Sequence, residues 1–393
     1  MARLTHPTLQ QLAPDGHDMA RDPYPVYAML RAKGPVHRVL VPGSGECLLV
    51  VARDAARAAL SDRRLRNDIR HSSSWETDGG HAVGRNMLQS DPPQHTTLRR
   101  LVAEHFAPRR IAALRPAIEA VADGLLADLP RLGTVDLVSR FALPLPVTVI
   151  CELLGVPVAD RADFHSCSNQ LVVPASSQAA AAAAADLTGF LTELTARKAA
   201  APDGTLLADL AAAGLTAEEL LGMAFLLLVA GHETTVNLIS GTVHALLADP
   251  SQLALVQNDL SLVPAAVEES LRHNAPVHAA AFRFAAEPLD LAGTHVAAGE
   301  AVQVSLAAAS RDPLYFPDPD RFDLTRRPQG HLAFGHGLHH CLGAALARME
   351  ATVALSLLVR QRRSMTLTTD PALLNWRSGT LVRGLGELPI DMG

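Results

Sequence analysis

The chain has 393 residues, 48% of them hydrophobic and 19% charged, a composition that buries roughly three quarters of the surface an unfolded chain of this size exposes and excludes intrinsic disorder. Its 34 basic and 40 acidic residues leave a formal net charge of −6, so no global positive field exists to hold nucleic acid or an acidic membrane surface. The longest apolar run, Leu220 to Gly231, is twelve residues, short of the ~20 that cross a bilayer; Met1 to Leu12 lacks a secretory pattern, and a cytoplasmic protein is expected.

A helical pattern over Tyr24 to Ala32 ends at Gly34-Pro35. Two apolar runs, Val36 to Leu40 and Leu48 to Ala52, flank Pro42-Gly43-Ser44-Gly45 and predict a hairpin. A short helix follows over Asp54 to Leu60, and Ser61 to Gly80 is polar and aperiodic, which predicts a mobile loop. Helical periodicity then dominates over Pro93 to Phe106, Ile111 to Leu129, Val135 to Leu154, Asp160 to Val172 and Leu187 to Ala200. The seven alanines Ala179 to Ala185 extend the last of these, since alanine has the best helix propensity. Thr216-Ala217-Glu218-Glu219 forms a capping box, and the apolar pattern behind it runs to about Leu247, a helix of ~48 Å. Beyond Pro276 short strands and turn residues continue to Ser305. At ~150 residues per domain the length suits two or three domains, but no repeat or flexible linker interrupts the chain, so one large, mainly α domain spanning residues 1–393 with a small β-rich region is expected.

Chemistry concentrates in Phe334-Gly335-His336-Gly337-Leu338-His339-His340-Cys341-Leu342-Gly343, which precedes the helical pattern Ala344 to Val359. Glycines let a backbone approach a flat ligand closely, and a cysteine before a helix has its thiolate favoured by the dipole and by free N–H groups. That is a way to build a thiolate ligand; a buried structural cysteine in a glycine-rich turn is the alternative. The other cysteines, Cys47, Cys151 and Cys167, have no such surroundings and are expected in the core. No C-x-x-C pair for zinc and no C-x-x-C-H for covalent haem attachment occurs.

The pattern F-x-x-G-x-x-x-C-x-G resembles the haem-binding loop of the cytochrome P450 family, with Cys341 at the position of the proximal iron ligand. The resemblance implies a P450 fold and haem b, iron protoporphyrin IX held without a covalent link, whose axial thiolate favours O–O cleavage. It places Phe334 beside the sulfur, Gly335 and Gly343 in the haem-binding loop, and His339 on a haem propionate. Ala230-Gly231-His232-Glu233-Thr234-Thr235 interrupts an otherwise excellent helix with a glycine, an acid and two β-branched residues. By itself this could be a kink with a solvated acid. It resembles the family's oxygen-activation motif, in which Ala230 and Gly231 leave a groove for dioxygen, Thr234 offers its hydroxyl and Glu233 relays protons into a dry site.

On the helix opened by Asp91-Pro92-Pro93, His95 and Arg99 are four apart and share a face that suits a dianion. The resemblance puts them on the propionates together with Arg283. Glu269-Ser270-Leu271-Arg272 resembles the family's structural E-x-x-R, completed by the arginine of a later loop, taken as Arg321. The family's substrate-contacting segments correspond here to Val83, Met87, Leu227, Val229, His278, Ala279, Ala281, Thr380 and Leu381, mostly apolar, which implies a roomy pocket for a bulky molecule. His278 could orient a substrate or hydrogen-bond within the protein.

The resemblance runs from about Asp22 to Pro389 and implies an oxygen-inserting oxidoreductase, a monooxygenase that hydroxylates or epoxidises a polyketide, macrolide, terpenoid or peptide intermediate of bacterial specialised metabolism, including antibiotic biosynthesis. Desaturation, cyclisation or aryl coupling without oxygen retention is a second reading. A non-catalytic haem or carrier-protein binding module is a third, and the retained Cys341, Glu233 and Thr234 argue against it. With no room for a fused reductase, electrons would come from a separate ferredoxin and ferredoxin reductase, docking on Arg100, Arg109 and Arg110. A monomer acting on a free or carrier-tethered substrate is expected.

Overall fold

The computed structural model of the chain describes residues 6–75, 84–161, 164, 177–326, 330–379 and 381–393. The first stretch carries α1 (Leu9–Leu12), α2 (Tyr24–Lys33), β1 (Val36–Val41), β2 (Gly45–Val50), α3 (Arg53–Ser61) and β3 (Leu65–Arg66). Helices then prevail: α4 (Gln94–Ala103), α5 (Pro108–Ala127), after β4 (Thr134–Asp136) α6 (Pro144–Leu154), then α7 (Ser177–Ala200), α8 (Leu206–Ala212), α9 (Ala217–Ala248), α10 (Pro250–Asn258) and α11 (Val263–His273). Short strands follow as β5 (Arg283–Ala285), β6 (Leu289–Leu291), β7 (Thr294–Val296) and β8 (Ala301–Val304), leading to α12 (Leu306–Ser310). The chain closes with α13 (Ala344–Gln361), β9 (Thr366–Leu367), β10 (Trp376–Ser378), β11 (Arg383–Leu385) and β12 (Pro389–Asp391).

Two compact units result. One comprises Met1–Gly80, Gly241–Cys341 and Asp370–Leu385; the other His81–Ser240, Leu342–Thr369 and Gly386–Gly393.

The first unit is built on a mixed sheet of strand order β1-β2-β8-β5-β3. The expected hairpin forms, pairing Val36 with Val50 and Val41 with Gly45. Its second strand also pairs in parallel with β8, Cys47 opposite Ala301 and Val50 opposite Val304. Side chains alternate across the pleat, so Leu48, Val50, Val302 and Val304 join one apolar layer while Cys47, Leu49 and Ala301 join another. A sheet covered on both faces explains why every residue of β8 is buried. Ser61 to Gly80 departs from the expected loop in its described part: Trp75 is buried, donates its indole N–H to the Glu46 carbonyl at 3.2 Å, and meets Phe282 and Phe284 edge to face. A large aromatic ring with a satisfied polar atom outweighs the polar composition around it.

In the second unit one hydrophobic core cluster gathers Leu98, Ile150, Leu154, Leu187, Leu191, Leu207 and Leu228 among others. The helix expected over Val135 to Leu154 is interrupted, because the Asp136 carboxylate captures the backbone N–H of Val138, Ser139 and Leu388, a π-turn spans Val138–Ala142, and Pro144 opens a new helix. The Thr216 box forms as expected: the Thr216 hydroxyl accepts from the Glu219 N–H at 3.2 Å and the Glu219 carboxylate accepts from the Thr216 N–H at 3.0 Å. The 32-residue α9 follows it. By length and a mean hydropathy of 1.3 over 18 residues, α9 has the dimensions of a membrane span, against the expectation drawn from the twelve-residue run; 67% of that window is buried within the protein, as in a core helix. The helix expected over Asp160 to Val172 lies largely outside the described residues, as does Cys167.

Candidate active site

The glycine-rich loop of the first unit is held by its own backbone. The Gly335 N–H donates to the Leu332 carbonyl at 2.8 Å, the Cys341 N–H to the Phe334 carbonyl at 2.9 Å, and Gly337–His339 form a single 3-10 turn. Gly337 has φ +74°, and a Cβ there would stand 2.7 Å from the Leu60 carbonyl oxygen, so only glycine lets the loop pass this close to the end of α3. Cys341 is exposed, whereas Cys47 and Cys151 are buried, as expected. Burial pushes both of those thiols up to about 12, which leaves them protonated and unfit as ligands. Phe334 and His339 are half-buried.

Upstream, the loop is tied to its own unit at three successive residues. Arg53, buried at the start of α3, donates two N–H groups to the Gly330 carbonyl at 3.1 and 2.7 Å. His331 engages Glu268 of α11 at 3.1 Å, and the Ser310 hydroxyl accepts the Leu332 N–H at 3.0 Å. None of these tethers was visible in the sequence, although His331 stands three residues ahead of Phe334.

Arg272 makes a two-point pair with Glu269 at 2.8 and 2.7 Å, both side chains wholly buried. The arginine that completes this network is Arg326, whose Nε reaches the Glu269 carboxylate at 3.2 Å. Arg321, the expected partner, is exposed and contributes only its backbone carbonyl, which accepts from Arg272 at 3.1 Å. The turn after Asp318 carries the Arg321 side chain outward and brings Arg326 back, with its other nitrogens on the Pro317 and Asp318 carbonyls. Arg283 is buried, and its Nη1 donates to the carbonyls of Ala59 and Leu60 at 3.1 and 3.0 Å.

On the 217–240 part of α9, which belongs to the second unit, Ala230 is exposed and Thr234, one turn on, is half-buried. The Thr234 hydroxyl donates to the Ala230 carbonyl at 3.2 Å, the back-bond available to threonine inside a helix. Glu233 is half-buried beside it. His232 points the other way, buried, with Nδ1–H on the Leu228 carbonyl at 2.6 Å and its ring edge to face with Phe164. On the side where a Cβ would stand, Gly231 meets Ile150 of α6; the residue itself is half-buried and Ala230 beside it is exposed. On α4, His95 is buried and Arg99 half-buried on the same face. Burial, reinforced by the Arg99 charge, lowers the His95 pKa and favours a neutral ring.

Of the pocket residues expected from the sequence, Val83 and Thr380 lie outside the described residues. Leu227 is buried in the core of the second unit and serves packing; the neighbouring half-buried position is Leu226. Met87 and Val229 pack partly buried against that core. His278 is committed within the protein, its Nε2–H donating to the Gly379 carbonyl at 3.1 Å and its backbone N–H to Leu381 at 2.9 Å. Ala279 is buried, and Ala281 and Leu381 are half-buried. Arg100, Arg109 and Arg110 are exposed, but Arg110 is paired with Glu104 at 3.1 Å and bonded to His105, which reduces the expected patch.

The Cytochrome P450 family model matches residues 192–377. The chain is 47% identical over 392 residues to the cytochrome P450 monooxygenase PikC of Streptomyces venezuelae, a match covering 98% of this chain and 94% of that protein. It is 40% identical to the 6-deoxyerythronolide B hydroxylase of Saccharopolyspora erythraea, over 94% of this chain and 96% of that one. Among solved structures, the tirandamycin C-bound P450 monooxygenase TamI superposes with a TM-score of 0.90 at 42% identity, covering 96% of this chain and 99% of that chain.

Proposed function

Since this chain belongs to the cytochrome P450 family and is a P450 monooxygenase of the bacterial type, we propose that it hydroxylates or epoxidises a bulky, largely apolar natural-product intermediate of polyketide, macrolide, terpenoid or peptide origin. The family implies a cysteine-ligated haem, and we assign Cys341 as its ligand. The donor set fits such a group: one exposed thiol on a loop that two left-handed glycines, Gly335 and Gly337, allow to pass flat and close, with the remaining described thiols buried and protonated. Haem b supplies, when bound, a thiolate-ligated iron that activates dioxygen with two electrons and two protons.

The chain's own residues take the remaining roles in this reading. His95, Arg99, Arg283 and His339 hold the propionates, His95 as a neutral N–H donor. Phe334 shields the sulfur, and Gly343 stands at the N-cap of α13. Thr234 holds and passes a proton at its hydroxyl, which a rotation frees from the Ala230 carbonyl, and Glu233 resupplies it. The exposed Ala230 and the half-buried Thr234, one turn apart on α9, are the observation that carries the reading, because they leave one small residue and one hydroxyl accessible. We assign electron supply to a separate ferredoxin and its reductase, place the enzyme in the cytoplasm as a monomer, and treat residues 1–393 as one P450 domain.

A second reading, oxidation without oxygen retention, is favoured by two relatives: CxnD, described for C–S bond formation, at 36% identity and TM-score 0.89, and the putative thioether synthase SgvP at 35% and 0.88. A carrier-tethered substrate is supported by the likeness to P450BioI, solved with a ligated acyl carrier protein, at 33% identity and TM-score 0.86. The test is the carbon monoxide spectrum of the reduced holoprotein, followed by titration with macrolides, terpenoids and cyclic peptides and product analysis under labelled dioxygen. A thiolate band lost in Cys341→Ser and a substrate-induced spin shift are expected. A preserved band in Cys341→Ser overturns the ligand assignment, and product without label moves the second reading ahead.

A further inference from the structure

We propose that His331 is a positioning residue for the Cys341 thiolate, acting as a neutral strut between helix α11 and the loop; this rests on the assignment of Cys341 as ligand. The observation is a pair of parallel connections within the first unit. Glu269 and Arg272 of α11 form the buried ionic network, and Arg272 also donates to the Ser310 carbonyl at 3.4 Å, while the Ser310 hydroxyl accepts the Leu332 N–H at 3.0 Å. One residue before Glu269, the Glu268 carboxylate meets His331 Nε2 at 3.1 Å. The same α11 therefore grips two adjacent loop residues, one through a backbone N–H and one through a ring.

The ring's second nitrogen settles its protonation. His331 Nδ1 accepts the Ala333 N–H at 3.2 Å, so the proton of the neutral imidazole is on Nε2 and is donated to Glu268. The His331 side chain is 5% exposed, and its ring lies 6.2 Å from that of Phe334 at a tilt of 48°. Phe334 in turn supplies the carbonyl that accepts the Cys341 N–H. The chain of contacts Glu268, His331, Ala333 and Phe334 thus ends on the backbone of the cysteine. Partners of this kind, one step removed from the metal, set ligand orientation and basicity. A loop released from His331 would let the Phe334 carbonyl move and the sulfur with it.

The experiment uses haem-loaded protein and reads the reduced carbon monoxide spectrum together with thermal unfolding. His331→Phe keeps ring volume and removes both bonds; Glu268→Leu removes the acceptor and leaves the ring packed. His331→Asn retains one acceptor for Ala333 and one donor for Glu268. The expected result is a shift from the thiolate band to the blue-shifted thiol band in His331→Phe and Glu268→Leu, with the thiolate band rescued in His331→Asn. Lower melting temperatures with the band unmoved in the folded fraction would assign His331 to folding alone and overturn the proposal while leaving Cys341 as ligand. If His331→Phe does not fold, Glu268→Leu against His331→Asn decides on the same readout. A wild-type protein without a thiolate band removes the ligand assignment and this proposal together.

Discussion

Gly231 and Ile150 occupy one space. A Cβ built on Gly231 would stand 2.6 Å from Ile150 Cδ1 and 2.7 Å from Cγ1, so the contact of α9 with α6 exists because position 231 has no side chain. Gly231→Ala should cost about 1–3 kcal/mol through overpacking. Ile150→Ala leaves a cavity and is costly alone, yet it vacates the space the new methyl needs. Denaturant unfolding of the two single variants and the double should show a double-variant cost smaller than the sum by about 0.5 kcal/mol or more. Strict additivity would mean that the neighbour yields without strain.

The buried Glu269 carboxylate is held by Arg272 and Arg326. Arg326→Leu leaves the Arg272 pair in place but takes one donor from the Glu269 carboxylate and those of the Pro317 and Asp318 carbonyls, and should destabilise by about 1–3 kcal/mol. Arg321→Ala, on the exposed side chain, should stay within about 0.5 kcal/mol of wild type. Reversed magnitudes in urea titrations would restore Arg321 as the completing residue.

His244 packs edge to face on Trp376, and burial, with Arg383 nearby, lowers its pKa from 6.5 to about 4. A depressed pKa means that the unfolded chain takes the proton first. Stability from this group is intact above pH 6.5 and falls as pH drops from 6.5 to 4, by about 3 kcal/mol over the window at about 1.4 kcal/mol per unit. His244→Phe should flatten the acid limb of a stability-against-pH curve by that amount, with His273 and His95, shifted the same way, accounting for the slope that remains. Equal acid slopes in the two proteins would show that His244 titrates normally.

Glu350 of α13 is buried, its Oε2 has no hydrogen-bond partner among the described residues, and burial raises its pKa well above 4.5. Here the sign is opposite: the group favours the folded state fully below pH 4.5 and less as pH rises toward its folded value. Glu350→Gln, which cannot ionise, should be more stable than wild type at pH 7 by about 1–3 kcal/mol. That gain should vanish under acid conditions, and a gain independent of pH would point to packing instead.

Thr234→Ala should bind substrate with an undiminished spin shift but release hydrogen peroxide in place of product, since the variant lacks the hydroxyl that passes the proton. Thr234→Ser should recover most of the coupling. Peroxide and product measured per electron pair check this; wild-type coupling in the alanine variant removes Thr234 from the proton path.

What the sequence determined by itself was everything that depends on residues within a few positions of one another. The capping box at Thr216 and Glu219 and the hairpin around Gly43 rest on local hydrogen bonding and fixed backbone angles, and the short motif around Cys341 was legible for the same reason. Even locally a side chain could overrule periodicity, as Asp136 did by capturing the N–H groups of Val138 and Ser139. Tertiary structure alone decided that Arg326 rather than Arg321 meets Glu269, that β8 lies parallel to β2, that Trp75 closes over Phe282, and that His331 bridges Glu268 and Ala333. Each of these joins residues whose distance is set by the path of the backbone between them, and that path is fixed by burial of the whole core, which no window of sequence contains.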